Sequence, residues 1–268
     1  MTIHSFSFGS ASVRILDRLI QEDLSKIEKE YTMRLYTIAD LHLSFGVDKP
    51  MDIFGGWYDH VNRIEQNWQK KVRPEDIVVL PGDLSWGMNF EQTEKDLEFL
   101  NKLNGTKIIS KGNHDYWWNT VSKMQRFFDE KGFDTLNILH NNHYAFGGIG
   151  ICGTRGWVND NSEPASAKVI AREAIRLELS IKSAVNAGLR PVVFLHYPPV
   201  FGESRNFEIL DVLYKYGIKW VFYGHLHGKA HSYAVNGVFD GINYRLISSD
   251  FLHFDPLDIT EIVQSDNL

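Results

Sequence analysis

Aspartate, asparagine and histidine residues follow five separate apolar runs in this chain. The five clusters are Asp40-Leu41-His42, Gly82-Asp83, Gly112-Asn113-His114-Asp115, His196 and Gly224-His225-Leu226-His227. A single residue of this kind at the end of a run is more often a helix cap or a turn residue than a ligand. In open α/β sheets, however, ligands bind at the carboxyl ends of the strands, so five such clusters together predict a shared site.

These clusters offer oxygen and imidazole ligands but no thiol. Cys152 is the single cysteine of the chain, which excludes an intramolecular disulfide and a thiolate metal cluster. Residues i and i+2 of an extended segment point the same way, so each of the pairs Asp40 with His42 and His225 with His227 addresses one side of a site. The inventory predicts two metal ions, and nitrogen and oxygen ligands suit Mn, Fe, Zn or Co.

The apolar runs that precede the clusters predict the strands that position them. Runs at 35–39, at 77–80 and through Ile108 and Ile109 alternate with helical patterns, which predicts parallel strands with helical connections. Residues 144–146 and 149–152 are short runs separated by glycines, closer to antiparallel pairing. A helix is expected over 165–187, and further strands at 192–195, 219–223, 230–235 and 243–248. The fold class is therefore α/β, with a mixed or second sheet.

In this order and spacing, the five clusters resemble the calcineurin-like metallophosphoesterase superfamily over about residues 34–250. The resemblance implies two mixed β-sheets packed face to face with helices on the outside, a four-layer sandwich. Two cations roughly 3.5–4 Å apart can lower the pKa of a shared water and clamp phosphoryl oxygens during in-line attack. The family's ligand positions fall on Asp40, His42 and His227 for one metal, on Asn113, His196 and His225 for the other, and on Asp83 as the bridge.

His114 matches the family's histidine that protonates the leaving group or steadies the transition state. In the phosphoprotein-phosphatase branch a second aspartate orients this histidine, whereas the matching position here is Trp86. Nearby cations disfavour a charged imidazole that lacks this partner. We therefore expect His114 to be a weaker acid catalyst near neutral pH than its counterpart in that branch, because less of it is protonated.

Arg155 and Asp115 are two further polar residues beside the clusters. Arg155 lies between glycines after an expected strand, and its planar fork suits phosphate oxygens, so it is a candidate contact for a substrate phosphate. A surface arginine in a turn is the alternative. Asp115 is expected to complement the N-terminus of the helix that follows it rather than to act in catalysis.

Several functions fit the order of these clusters. Phosphomonoesterases, cyclic-nucleotide phosphodiesterases, sugar-nucleotide pyrophosphatases and nucleases of the superfamily all share it, and we favour hydrolysis of a small-molecule phosphate ester. The formal net charge of −6 counts against a nuclease, which needs a basic surface along the nucleic acid. A non-catalytic scaffold is disfavoured because no ligand position is lost.

Composition and hydropathy bear on the protein's location. Hydrophobic residues make up 43% of the 268 positions, an ordinary globular composition. No apolar run approaches the roughly 20 residues of a membrane span, and the N-terminus lacks the basic-then-apolar order of a signal peptide. We therefore expect a cytoplasmic protein without a membrane partner.

Residues 1–32 differ in pattern from the rest of the chain. Apolar residues between Val13 and Ile27 recur at helical spacing among charges and predict one amphipathic helix. The family-like pattern begins at Met33, so residues 33–268 are expected to form a single domain. The first 32 residues are then a helical extension that packs on the domain or contacts a second copy, or they result from a start codon assigned too far upstream.

A chain that begins at Met33 is expected to fold and to keep its activity, because no candidate ligand precedes Asp40. Circular dichroism and kcat/KM of the short and full chains test this expectation. A short chain that folds but turns over no substrate would show that residues 1–32 take part in the chemistry.

Overall fold

The part of the chain that the structure describes contains thirteen strands and six α-helices. The computed structural model of the protein describes residues 32–157 and 167–265. The strands are β1 Leu35–Thr37, β2 Ile77–Pro81, β3 Thr106–Ser110, β4 Leu136–Ile138, β5 Tyr144–Phe146, β6 Ile149–Thr154, β7 Arg190–Leu195, β8 Val200–Phe201, β9 Ser204–Arg205, β10 Trp220–Tyr223, β11 Gly237–Phe239, β12 Ile242–Leu246 and β13 Leu257–Asp258. The helices are α1 His60–Lys71, α2 Phe90–Lys102, α3 Val121–Lys131, α4 Ala167–Asn186, α5 Phe207–Lys215 and α6 Thr260–Gln264.

Both large sheets are mixed. The first has the order β13-β1-β2-β3-β4 and is parallel except for the edge strand β13. The second has the order β11-β12-β10-β7-β6-β5, with four parallel central strands and an antiparallel strand at each edge. Parallel strands bring their carboxyl ends to the same edge of a sheet. The mixed α/β fold that the sequence predicts is confirmed.

Alternation along the strands divides the apolar side chains among three clusters. Successive strand residues face opposite sides of a sheet, so Val192 and Phe194 of β7 join a different cluster from Val193 and Leu195. The cluster that contains Phe194 also takes in Val79 of β2, and therefore lies between the two sheets. The other two clusters pack the outer faces against helices, α1 to α3 on the first sheet and α4 and α5 on the second. The four layers are thus helix, sheet, sheet and helix.

Asparagine caps start two of the helices that cover the sheets. The side chain of Asn89 accepts a hydrogen bond from the backbone N–H of Gln92 at the start of α2, 3.0 Å away. Asn206 does the same for Ile209 at the start of α5, also at 3.0 Å. Each cap satisfies a backbone N–H that has no partner within its helix, so the sequence defines where these helices begin.

Two expectations from the sequence concern the edge of the second sheet and the N-terminal helix. The strand expected at 230–235 is wrong, because Gly228–Tyr233 forms a 3-10 helix, and β11 after it provides the edge of the second sheet. The helix expected between Val13 and Ile27 lies outside the described residues. Residues Arg34–Leu268 form one unit by their own contacts. No helix among the described residues is long and apolar enough to cross a membrane.

We expect Phe194→Ala to lower the free energy of unfolding by about 3–5 kcal/mol, because it removes a large side chain from the core between the sheets. Phe194 is fully buried and its ring stacks on that of Phe222, with centroids 5.2 Å apart. Urea unfolding measures the loss. Phe207→Ala is the matched control, since Phe207 is 67% exposed and should change stability by no more than about 0.5 kcal/mol. Equal effects of both variants would contradict this packing.

Candidate metal centre

The five clusters predicted from the sequence meet at the carboxyl ends of the strands. Asp40, Asp83 and Asn113 come within three residues of the ends of β1, β2 and β3, and His196 and His225 come within two residues of the ends of β7 and β10. Asp40, Asp83 and His196 are fully or almost fully buried. Because the two sheets present these ends side by side, residues far apart in sequence come into contact there.

Asp40, His42 and His227 form the first group of potential ligands. One ligand atom from each lies within 4.8 Å of the others. The Nε2 atoms of His42 and His227 are 3.2 Å apart, and the Nε2 atom of His227 is 4.0 Å from Oδ1 of Asp40. These three residues have the donor types and the spacing that a single cation requires.

Asn113, His196 and His225 form the second group. Oδ1 of Asn113 lies 2.6 Å from Nε2 of His196 and 3.0 Å from Nδ1 of His225. Asp40, Asp83 and His196 also bring one ligand atom each within 4.8 Å of one another. The second group therefore lies directly beside the first, because Asp40 of the first group and His196 of the second are neighbours.

Asp83 lies between the two groups. Its Oδ1 atom is 3.5 Å from Nε2 of His196, and its Oδ2 atom is 3.8 Å from Nε2 of His42. The two oxygens of one carboxylate thus face imidazoles of different groups. This is the orientation that a carboxylate shared by two cations requires.

Four of these residues have strained backbone conformations. Asp40, His42, Asp83 and His225 have φ angles of 60°, 47°, 53° and 73°, in the left-handed region that residues other than glycine rarely adopt. Such conformations cost about 1–3 kcal/mol each and persist only where the surroundings enforce them. Four of the seven predicted ligands are among the nine residues other than glycine that adopt a positive φ in the described part of the chain.

Glycines allow the ligand loops to approach one another closely. A Cβ atom on Gly112 would lie 2.1 Å from Oδ1 of Asp83, and one on Gly224 would lie 2.5 Å from Oδ2 of Asp40. Neither position has room for a side chain. The backbone N–H of His225, which follows Gly224, donates to both oxygens of Asp40 at 2.9 and 3.1 Å.

The structure corrects the role that the sequence suggests for Asp115. Helix α3 begins at Val121, with Thr120 at its N-cap position, so Asp115 does not complement its N-terminus. The fully buried carboxylate instead accepts hydrogen bonds from the backbone N–H groups of Asp83 at 2.9 Å and Gly112 at 2.8 Å. Leu84 N–H and Trp117 Nε1–H donate to it as well. Asp115 therefore ties together the loops that follow β2 and β3.

Asp250 is a further residue of the site that the sequence patterns did not predict. Its Oδ1 atom lies 2.9 Å from Nδ1 of His227, and its Oδ2 atom accepts the backbone N–H of Gly228 at 3.0 Å. The carboxylate favours the proton of His227 on Nδ1 and leaves the lone pair of Nε2 for a cation. The signal was available, because Ser248-Ser249-Asp250 follows the carboxyl end of β12, as the other clusters follow their strands.

Burial and mutual contact shift the protonation of these groups. Burial raises the pKa of Asp40 to about 6, and burial with the negative charge of Asp115 raises the pKa of Asp83 well above its ordinary value. Burial and the neighbouring imidazoles hold the pKa values of His42 and His196 well below the usual range. The imidazoles of His42 and His196 are therefore neutral and able to donate lone pairs.

The donor set fits divalent cations. Among the described residues, no lysine or arginine nitrogen lies within 4 Å of the carboxylates of Asp40 or Asp83; their ion-pair partners there are histidines. Buried carboxylates without a cationic partner are unfavourable, and neutral imidazoles beside them supply further lone pairs. Two hard or borderline cations would compensate the carboxylates and use every donor in the cluster.

A family model for calcineurin-like phosphoesterases matches residues 33–229. The chain belongs to this family. The match covers all the predicted ligand positions, and it confirms the superfamily that the spacing of the five clusters indicates.

Individual relatives share little sequence identity with this chain. The uncharacterized protein MJ1445 of Methanocaldococcus jannaschii is 27% identical over 128 residues, which cover 42% of this chain and 70% of the relative. A solved structure with a TM-score of 0.51 and 11% identity covers 79% of this chain and 89% of its own; it shows the fold alone.

Two further solved structures have TM-scores below 0.5, too low to support an inference about function. The protein of unknown function AQ665 from Aquifex aeolicus is 16% identical with a TM-score of 0.49, covering 87% of this chain and 99% of its own. Phosphopantetheinyl hydrolase from Mycobacterium tuberculosis is 15% identical with a TM-score of 0.45, covering 81% and 89%.

His114 adjoins the predicted ligands through its backbone and its ring. Its N–H donates to Oδ1 of Asp83 at 2.8 Å, and its Nδ1 lies 3.3 Å from the hydroxyl of Tyr116. Trp86, which stands where the phosphatase branch has its second aspartate, packs its ring 4.4 Å from that of His114 and 4.9 Å from that of His42. An indole ring and a phenol hydroxyl thus orient His114.

A cavity of about 400 Å³ opens beside these rings. Its floor contains His42, His114 and His227, and its walls are mostly apolar. The loop at residues 43–58 supplies much of the wall, including Trp57, which contacts the ring of His227 with centroids 5.4 Å apart. The wall residues are Met51, Phe54, Gly55, Trp57, Trp86 and Gly228.

Arg155 lies next to the ligand set but not within it. Its carbonyl accepts the backbone N–H of His196 at 3.2 Å, while its guanidinium lies over the ring of Trp157 at 4.6 Å. The side chain is only 16% exposed and approaches Glu173 at 3.8 Å. Arg155 is therefore not the surface arginine of the alternative prediction, and its guanidinium lines a second cavity.

Removal of the Asp250 carboxylate is expected to weaken metal binding about 10- to 100-fold, as for other groups that orient a metal-bound histidine. Asp250→Ala leaves Nδ1 of His227 without this acceptor and its ring less constrained. The dissociation constant for Mn²⁺, measured in chelator-buffered solutions, tests this. Asp255→Ala is the control, since Asp255 pairs with Lys71 near the surface. Unchanged Mn²⁺ affinity in Asp250→Ala would contradict the role of Asp250.

Proposed function

We propose that this family member hydrolyses phosphate esters at a site that holds two metal ions. The observation that carries the proposal is the position of Asp83, whose two carboxylate oxygens face His42 on one side and His196 on the other. A mononuclear site has no need for a buried carboxylate so placed. Support also comes from the membership of the family, whose name describes phosphoesterases.

Seven residues would hold the metals in this proposal. Asp40, His42 and His227 belong to one ion, Asn113, His196 and His225 to the other, and Asp83 to both. When bound, the two ions supply positive charge for the phosphoryl oxygens and lower the pKa of a water molecule toward neutrality. The contribution of the chain is to hold the donors rigidly, through the hydrogen bonds to Asp115 and Asp250.

His114 is proposed to donate a proton to the departing oxygen of the ester. It lines the same cavity as His42 and His227, so a group leaving from the metal centre into this cavity passes its ring. The Tyr116 hydroxyl beside Nδ1 leaves Nε2 to carry the transferred proton. A tyrosine supports the charged imidazole less than an aspartate does, which agrees with weak acid catalysis by His114 near neutral pH.

The apolar cavity is proposed to receive the organic part of the ester. Trp57, Trp86 and Phe54 offer ring surfaces to it, and Met51 adds a flexible apolar wall. Apolar walls with a few polar groups at one end are typical of pockets for small molecules. A small-molecule ester therefore fits better than a polymer that must be gripped along its backbone. Arg155 remains our proposed contact for a substrate phosphate.

Asp83→Asn is expected to abolish turnover and to lower bound metal together, because an amide cannot offer two anionic oxygens. The measurement is kcat on generic phosphate esters with Mn²⁺, alongside metal content by elemental analysis. Asp76→Asn is the matched control, since Asp76 is a buried aspartate before the other end of β2 that holds the backbone N–H groups of Arg34 and Arg73. Full metal content and normal activity in Asp83→Asn would exclude the proposal.

His114→Ala should slow hydrolysis of alkyl phosphates more than that of aryl phosphates. An alkoxide leaving group needs a proton, whereas nitrophenolate needs little help, so a contrast on the order of tenfold or more is expected within the 10²–10⁴-fold that general acids supply. The test compares kcat/KM for both substrates in wild type, His114→Ala and the control His143→Ala, whose ring bonds Ser183 instead. Equal losses on both substrates would argue for a positioning role only.

A further inference from the structure

A second cavity, of about 510 Å³, carries an excess of positive charge. Lys111, Arg155, Arg172 and Arg176 line it, and Glu173 is the one carboxylate among the lining residues in the described part of the chain. Four cations face one anion. Of these four cations, the proposed function uses only Arg155, as a contact for a substrate phosphate; the proposed ligands and His114 all lie outside this lining.

Glu173 organises the cationic side chains rather than neutralising them. It is fully buried, and Oε2 accepts the hydroxyl of Thr154 at 2.7 Å. Its Oε1 atom accepts Arg176 Nη1–H at 2.7 Å and lies 3.8 Å from Arg155 Nη2 and 3.9 Å from Arg172 Nε. One carboxylate oxygen thus gathers three guanidinium groups, and with Lys111 the described lining residues carry three net positive charges.

The cavity adjoins the metal centre through the backbone. Lys111 precedes the proposed ligand Asn113 by two residues, a Cα separation of about 7 Å at most. Arg155 is joined to His196 by the hydrogen bond from the His196 N–H to its carbonyl. The cationic cavity shares no lining residue with the apolar cavity beside His114. Two residues that line the cationic cavity thus lie within two positions or one hydrogen bond of proposed ligands.

We propose that the cationic cavity binds a second anionic group, a phosphate or a carboxylate, of the substrate whose phosphoryl group lies at the metal centre. This inference rests on the proposed phosphoesterase function and specifies its substrate class: small phosphate esters that carry a further anionic group a few bonds away. The guanidinium groups suit this ligand, because their planar forks match the oxygens of phosphate and carboxylate.

An unpaired donor supports an anionic ligand at this position. Within the described part of the chain, Arg155 Nε is buried and has no hydrogen-bond partner. Like charges held together by a single carboxylate repel one another, and an anion in the cavity would relieve that repulsion.

The test measures binding of non-hydrolysable probes to the Mn²⁺-loaded full chain by titration calorimetry. The probes are propylphosphonate, 3-phosphonopropanoate and propane-1,3-bisphosphonate, which differ only in the second group. We expect one or both of the probes with a second anionic group to bind about 10- to 100-fold more tightly than propylphosphonate, which is what one or two hydrogen bonds to charged groups contribute. The carboxylate and phosphonate probes show which second group is preferred.

Variants connect that preference to the cavity. In Arg172→Gln/Arg176→Gln the preference should fall to less than about threefold, while affinity for propylphosphonate stays the same. Arg172→Gln alone is the second variant, because its side chain is 55% exposed and its loss should not disturb folding; it should lower the preference in part. Lys182→Gln removes a charge from the same helix, where Lys182 pairs with Glu178, and should change nothing.

The outcomes separate this inference from the proposed function. Equal affinity of the wild type for all three probes would overturn the inference even if phosphate esters are hydrolysed. A preference that survives in both arginine variants would overturn it as well. A preference that depends on Arg172 and Arg176 would support it, including in a protein that hydrolyses none of the esters tested, in which case only the proposed hydrolysis fails.

Discussion

The geometry of the metal centre depends on the hydrogen bonds that the Asp115 carboxylate accepts from two loops. It accepts the N–H groups of Asp83 and Gly112, so the loops after β2 and β3 cannot move apart without leaving a buried charge unpaired. Asp83, Asn113 and His114 all lie on these loops. Gly112 completes the constraint, because any side chain there would collide with the Asp83 carboxylate. The positions of the predicted ligands on these loops are thus fixed by hydrogen bonds from the loop backbone to Asp115.

This arrangement is unfavourable in itself and relies on the rest of the fold. Left-handed backbone at Asp40, His42, Asp83 and His225 costs about 1–3 kcal/mol per residue. Burial of Asp40 and Asp83 adds a cost that cations would offset. Three apolar clusters, one between the sheets and one under each helical layer, provide the stable frame. Under the proposed function, a site assembled in advance at this cost would bind cations without rearrangement.

Local patterns were sufficient to predict the strands and the clusters at their ends, because both features depend on neighbouring residues. Apolar runs before Asp40, Asp83 and Asn113 predict β1 to β3 directly. Contacts between side chains that lie far apart in sequence could not be predicted in this way, even where, as at Asp250, the residue itself follows a strand end. In the sequence, Asp115 resembles a residue at the start of a helix, and only the three-dimensional structure shows that the loop of Asp83 packs against it. The contact of Asp250 with His227 joins positions 23 residues apart. The wrong strand at 230–235 has the same origin: the backbone there bonds to itself, with Ala230 N–H donating to the His227 carbonyl, and not to a neighbouring strand.

The central claim is that this strand-end cluster holds two cations with Asp83 between them. Anomalous diffraction from crystals of the Mn²⁺-loaded full chain tests it most directly. The account predicts two manganese peaks, one among Asp40, His42 and His227 and the other among Asn113, His196 and His225, with Asp83 in contact with both. A single peak, or two peaks of which neither contacts Asp83, would contradict it.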